Sequence, residues 1–187
     1  MSGVRITGGR FKGRTIAITK GGPARFTSAK VREAVFDLIG PIEGFSVLDL
    51  FAGTGSFTVE ALSRDAAFVT AVEQDRRTAA LLKENLNALS IDKDCLVINM
   101  DVRYAVPMLR RQGKVFDLIF ADPPYGMGHV ASTFDLLTKN LLCHAGSVLV
   151  LEHSKREGLG GLSEDRYGLR VRRYGDTVLS IVTCGGG

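Results

Sequence analysis

The sequence lacks any run of eighteen or more apolar residues, the length a membrane-spanning helix needs. Its first residues, Met1-Ser2-Gly3-Val4-Arg5, lack the apolar core of a signal peptide, so the chain reads as cytoplasmic. Cysteine is scarce: Cys95, Cys143 and Cys184 are odd in number and widely spaced. That pattern gives neither a disulfide framework nor a zinc site, and free thiols, buried or partly buried, are expected. The histidines, His129, His144 and His153, are scattered and form no ligand pair, so no metal is expected. Internal repeats and low-complexity segments are absent. What is present is 187 residues, 45% of them apolar, enough for one ordinary domain with a small extension.

Net charge is +4, and its distribution says more than its size. Residues 1–45 hold eight Lys/Arg against Glu33, Asp37 and Glu43. The other 142 residues hold 16 basic and 17 acidic groups, so the whole excess is N-terminal. A solvated, slightly basic surface accounts for this as well as a phosphate-binding face does. The second account has a mechanism: clustered Lys/Arg release counterions from nucleic acid.

Residues 3–18 read as two short strands around a turn punctuated by Gly8-Gly9 and Gly13. After a loop with Gly21-Gly22-Pro23, Val31, Ala34, Val35 and Leu38 recur at helical spacing. Thr27 or Ser28 can cap that helix and Gly40-Pro41 ends it. From residue 46 strands alternate with helices. Strands are expected at 46–51, 68–73, 95–100, 115–121 and 147–153. The helices between them start near Gly55, Asp75, Val102 and residue 130, and Pro107 should bend or start the third. Residues 169–174 and 177–184 face each other across Gly175-Asp176, a hairpin signal. This alternation means an α/β fold: a mostly parallel sheet with helices on both faces. Residues 1–40 stand apart as a basic extension, and 41–187 as the main domain.

Asp49-Leu50-Phe51-Ala52-Gly53-Thr54-Gly55 ends a strand and opens a helix, where open parallel sheets bind ligands. Two glycines let the chain turn tightly and a ligand approach the backbone. A dinucleotide site wants a third glycine, but Thr58 stands there, and no Lys or Arg is near to meet phosphate. Glu73, followed by Gln74, ends the second strand and can accept from both hydroxyls of a ribose. Asp101 ends the third; it can accept from an adenine amino group, with the Val102 N–H at a ring nitrogen. Three acids at successive strand ends suit a ligand with hydroxyls and amines and no phosphate. S-adenosylmethionine, with its sulfonium and ammonium groups, is such a ligand.

The fourth strand runs into Asp122-Pro123-Pro124-Tyr125. The prolines remove two N–H donors and set the turn, so the Pro123 carbonyl is held outward. Asp122 and that carbonyl make two acceptors for the two hydrogens of a planar amine. Held so, the nitrogen turns its lone pair toward a methyl donor. Tyr125 offers a face for a flipped-out base. No cysteine lies in or beside the loop, which argues against attack on a pyrimidine carbon.

From about residue 4 to 183 the chain resembles the bacterial S-adenosylmethionine-dependent methyltransferases that modify N2 of a guanine in 16S ribosomal RNA. The carrying segments are Arg5-Ile6-Thr7-Gly8-Gly9, Lys12-Gly13-Arg14, Val31-Arg32-Glu33-Ala34-Val35-Phe36, residues 49–55 and Glu60-Ala61-Leu62-Ser63-Arg64. Glu73, Asn85, residues 122–125 and Glu152-His153 follow. The resemblance implies a Rossmann-like class I methyltransferase fold with a seven-stranded sheet and an N-terminal β-hairpin. It implies that Arg5, Arg10, Lys12, Arg14 and Arg32 contact RNA, within an assembled or partly assembled 30S particle. The family usually has proline before its first long helix, where this chain has Arg25-Phe26-Thr27, so the loop there is expected to be looser. Two readings stay open beside this one: an adenine-N6 or glutamine-amide methyltransferase, and an RNA-binding assembly factor without catalysis.

Overall fold

A computed structural model describes residues 3–19, 28–124, 128–157 and 168–185. Strands β1 (Gly3–Arg5) and β2 (Thr15–Ala17) pair antiparallel, with Val4 opposite Ile16. Gly9 in their turn has φ 71°, and a Cβ there would overlap the Ser63 carbonyl oxygen. Glycine therefore lets the turn lie flat on the main domain. Helix α1 (Ala29–Ile39) is capped by Ser28, whose Oγ accepts from the Val31 N–H, and ends at Gly40 with φ 82°.

The main domain runs β3 (Ser46–Leu50), α2 (Ser56–Ser63), β4 (Phe68–Val72), α3 (Arg76–Ala88) and β5 (Cys95–Ile98). It continues with α4 (Val102–Arg111), β6 (Phe116–Ala121), α5 (His129–Asn140) and β7 (Cys143–Ser154). A hairpin of β8 (Arg170–Tyr174) and β9 (Thr177–Thr183) closes it. The seven strands lie in the order β5-β4-β3-β6-β7-β9-β8. The first five are parallel, and β9 and β8 are antiparallel to their neighbours. From β3 the chain winds outward to β5, then crosses back to β6 and winds the other way. The strand order thus reverses between β3 and β6, where doubly wound sheets hold their ligands.

Burial follows from that layering. Val47 faces a core on one side of the sheet and Leu48 a core on the other. A strand covered on both faces reads as a continuous apolar run, as residues 47–50 do apart from Asp49. Ile6, Ile16, Val31 and Val35 pack in the same core as Val47, Phe57 and Leu82. The basic extension is thus joined to the main domain by packing. Phe36, Phe57 and Phe120 stack in a column from α1 through α2 to β6, with centroids 5.1 and 3.8 Å apart.

Two expectations are corrected. Cys143 and Cys184 form a disulfide and are not free thiols; Cys95 alone is free. Their separation of 41 residues carries no motif, and it is the β7–β9 pairing that brings them together. Strand β7 begins at Cys143, ahead of the expected Ser147. Helix α4 has the expected bounds, with Asp101 as its cap and Pro107 inside it. Among the described residues no helix is long and apolar enough to cross a membrane.

Candidate active site

The register places the two candidate loops side by side. Leu50 pairs with Ala121 across the β3–β6 seam, so Phe51 and Asp122 leave adjacent strands at the same level. The glycine turn is held in an unusual backbone shape: Phe51 has φ 65°, Gly53 57° and Gly55 92°. A non-glycine residue in the left-handed region costs on the order of 1–3 kcal/mol and persists where surroundings over-determine it. Here Ala52 N–H donates to the Val72 carbonyl at 2.9 Å and Gly55 N–H to the Ala52 carbonyl at 2.9 Å. A Cβ on Gly55 would overlap Leu82 Cδ1, so that glycine is needed for packing against α3. A Cβ on Gly53 would meet nothing within 4 Å, so Gly53 offers its backbone to a ligand. Gly55 also caps α2 without a side-chain hydrogen bond. Thr54 is buried within the turn.

The acids at the strand ends have different surroundings. Asp49 is 1% exposed and accepts from Thr58 Oγ at 2.5 Å. Burial pushes its carboxyl up to about 7; the Thr58 bonds oppose this and the Glu73 charge adds to it. Thr58, which displaces the third glycine of a dinucleotide motif, thus serves Asp49. Glu73 accepts Gly53 N–H at 2.9 Å and Asp75 N–H at 2.7 Å, tying the turn after β3 to that after β4. Each carboxylate oxygen keeps a second lone pair for a ribose hydroxyl. Asn99 Nδ2 fastens the same corner by donating to the carbonyls of Glu73 and Gln74 at 2.8 and 3.0 Å. Asp101 caps α4 and is paired with Arg103 at 2.7 Å. Its bond to Arg103 first, and then the arginine's charge, hold it below the usual carboxylate range. The Asp101 carboxylate is therefore engaged by Arg103, while the Val102 N–H lies in the first turn of α4, where no intrahelical acceptor exists.

Asp122 is half-buried, Pro123 buried and Pro124 exposed at the end of β6. Tyr125 lies outside the described residues, as do Arg25, Phe26 and Thr27.

On the extension, Arg5, Arg10, Lys12 and Arg14 are exposed. The guanidinium groups of Arg10 and Arg14 lie 4.9 and 5.7 Å from the Phe11 ring centroid. Arg10 reaches Asp94 at 3.9 Å, an exposed pair of little strength. Arg32 departs from the expectation. It is 1% exposed, with Nη2 donating to the Arg5 carbonyl at 2.8 Å and Nε 3.8 Å from Glu60. It is a buried tether and presents no surface to RNA. Burial lowers its pKa, against the charges of Glu60 and Glu152.

Glu60, fully buried on α2, is the centre of that tether. It accepts Thr7 N–H at 2.9 Å, Thr7 Oγ at 2.8 Å and Arg64 Nε at 3.1 Å. Asn85 on α3 makes a second link, exchanging hydrogen bonds of 3.0 Å with the Ala17 backbone and donating to the Thr54 carbonyl at 2.9 Å. One side chain thus joins β2 of the extension to the glycine turn. Sequence reasoning from chemistry alone missed both roles. The available signal was a polar residue inside an apolar stripe: Asn85 beside Leu82 and Leu86, and Glu60 beside Val59 and Ala61. His144 and His153 serve elsewhere: His144 pairs with Asp117 at 2.8 Å, and His153 with Ser180 Oγ at 2.9 Å.

Residues 4–183 match the protein family described as conserved hypothetical protein 95. Ribosomal RNA small subunit methyltransferase D of Escherichia coli K12 is 33% identical over 157 residues, covering 83% of this chain and 77% of its own. The structure of a hypothetical protein of Thermus thermophilus superposes with TM-score 0.82 at 31% identity, covering 96% of this chain and 99% of that one. The fold is shared with a T. thermophilus 16S rRNA N2 G1207 methyltransferase solved with AdoMet and guanosine. That likeness has TM-score 0.76 at 22% identity, over 97% of this chain and 49% of that one.

Proposed function

Because the chain belongs to the conserved hypothetical protein 95 family, whose fold is that of class I methyltransferases, we propose that it is an S-adenosylmethionine-dependent rRNA methyltransferase acting on the exocyclic N2 amine of a guanine in 16S RNA. The observation that carries this is the Leu50–Ala121 pairing, which sets the glycine turn and Asp122-Pro123-Pro124 on adjacent strands at the switch point. A donor over one turn and an amine at the other then meet without any further rearrangement of the sheet.

The residues fit the cofactor. Gly53 leaves its backbone open to a ligand, Asp49 and Glu73 supply carboxylates where a cationic, phosphate-free ligand needs them, and Asp101, its carboxylate held by Arg103, caps α4 so that the Val102 N–H faces the same ligand. Phe51, Ala52, Thr54 and Gly55 shape the turn, and Gln74 and Val102 border it. When bound, S-adenosylmethionine supplies a methyl group on a sulfonium. Asp122 and the Pro123 carbonyl accept the two amine hydrogens, which favours a pyramidal nitrogen and stabilises its developing positive charge. Orientation contributes most, up to about 7–11 kcal/mol for well-placed reactants. Tyr125 stacks on the flipped base, worth about 1–3 kcal/mol. The methyl would pass from the sulfonium to the nitrogen as its bond to sulfur breaks, leaving S-adenosylhomocysteine, and the amine proton, then acidic, would leave to solvent, so no matched base is required.

Arg5, Arg10, Lys12 and Arg14 hold the RNA, with residues 1–40 as the contacting extension and 41–187 as the methyltransferase domain. The substrate is cytoplasmic small-subunit RNA in an assembled or partly assembled 30S particle. Mass mapping of 16S RNA with and without the gene tests this: one N2-methylguanine disappears in the deletion. Loss of an N6-methyladenine instead would replace the reading. Asp122→Ala is expected to abolish transfer while retaining cofactor affinity, and full activity would sink the mechanism.

A further inference from the structure

Counted along the sequence, the chain is basic only at its N-terminus. The folded chain assembles a second basic surface. Strand β8 carries Arg170, Arg172 and Arg173, all exposed, and is the last strand of the sheet among the described residues. Among the described residues none of the three forms a salt bridge. The carboxylate of the β8–β9 hairpin, Asp176, is paired with Lys155 at 2.6 Å. Arg156 adds an exposed charge after β7.

Register and face place this strand in relation to the active site. Arg172 pairs with Leu179, and Leu179 with Glu152. That row lies one residue beyond the Ala121–Leu151 pair, at the level where Asp122 leaves β6. From β6 to β8 is three strand spacings, roughly 14 Å. Tyr174 packs on the core that holds Ile6, Ile16 and Val31, whereas Leu169 packs on the opposite one. Side chains alternate along a strand, so Arg170 and Arg172 share the face of Tyr174 and of the N-terminal hairpin. Arg173 points to the other face. The N-terminal hairpin is fastened to α2 and α3, whose flanking strands β3, β4 and β5 lie on the far side of the β3–β6 switch point from β8. The two basic surfaces therefore lie on one face of the sheet, on opposite sides of the β3–β6 seam, with Arg172 level with the start of the catalytic loop and Arg10 beside Asp94 at the amino-terminal end of β5.

We propose that Arg170 and Arg172 form a second phosphate-contacting surface, which grips the RNA backbone a few nucleotides from the target base and on the opposite flank from the N-terminal hairpin. This rests on the rRNA reading above. A strand held at two flanks presents the intervening base to the catalytic loop at lower cost than one held at a single end. Charge on an edge strand also blocks pairing with other chains, and the test separates that role from RNA contact.

The test is binding and methylation of purified small-subunit RNA by the intact protein across a range of KCl concentrations. The variants are Arg170→Gln with Arg172→Gln, Arg173→Gln alone, and Arg10→Glu with Lys12→Glu. The first pair is expected to raise KM for RNA roughly tenfold and to reduce the slope of log K against log salt by about 1.5, at ~0.7–0.9 per phosphate contact. The affinity for S-adenosylmethionine should stay the same, which also reports that the fold is intact. Arg173→Gln should change the slope far less. An unchanged slope in the Arg170/Arg172 pair, while the Arg10/Lys12 variant flattens it, overturns the second surface and leaves the rRNA reading in place. Self-association of that pair with unchanged RNA binding overturns it too. If the wild-type protein methylates no small-subunit RNA, the functional reading fails and this surface falls with it.

Discussion

Asn in place of Asp49 should make the cofactor-free protein more stable while destroying its affinity for cofactor. Asp49 is buried and its carboxyl is raised from 3.8 to about 7, first by burial. A rise of about three in pKa corresponds to roughly 4 kcal/mol of penalty for keeping the group charged. The sign is set by the raised value. An acid whose folded pKa exceeds its unfolded pKa binds more protons when folded, so stability falls as pH rises between the two. The penalty therefore begins near pH 4 and is complete above about 7. Asn carries no charge but leaves a buried N–H without its solvent, at about 1–3 kcal/mol. The net gain above pH 7 is thus on the order of 1–3 kcal/mol. In a chain of 187 residues this raises Tm by roughly 2–12 °C. The assay is calorimetry of both proteins at several pH values, without cofactor. The Tm difference should grow from pH 5 to 7 and then level off. A difference that stays constant from pH 5 to 8, or an Asn variant less stable at pH 8, would refute the account of a charged carboxylate stored for a cationic ligand. Titration calorimetry with S-adenosylmethionine should show binding to wild type only.

Glu60→Gln removes the charge that compensates buried Arg32, so a loss of about 3–5 kcal/mol is expected, read as a lower urea midpoint. An unshifted midpoint would mean that the tether is not held by charge. The His144–Asp117 pair makes stability pH-dependent. His144 is raised, chiefly by its bond to the Ala145 carbonyl and then by Asp117; its contribution is present below 6.5 and lost as pH climbs through the raised value. Burial works against the Asp117 charge, but bonds from Ser46 and His144 outweigh it and depress the group, so its contribution is lost as pH falls below 3.8. His144→Ala should accordingly lower Tm most between these limits and least above pH 8; a deficit independent of pH would exclude the pair.

The order of elements, the glycine turn and the proline loop were legible in the residues alone, because those depend on local chemistry. Asp75 caps α3 by accepting Thr78 N–H at 2.7 Å, as its place before a periodic apolar stretch demands. Alternation of strands and helices leaves little choice but a parallel sheet, and Gly175-Asp176 joins β8 to β9 as its composition requires. Which side chains meet across the chain was settled only in three dimensions. Arg32 looks like a surface cation in a basic segment. It is buried because Glu60, 28 residues on, and the Arg5 carbonyl receive its charge and its hydrogen bonds. Cys143 and Cys184 look solitary until β7 and β9 pair. Arg170 and Arg172 look neutralised by acids elsewhere along the chain. They stand together only because β8 is the last strand of the sheet among the described residues and its alternation turns both to one face. Local rules act over a few residues, whereas charge and burial depend on distance through space, which only the fold supplies.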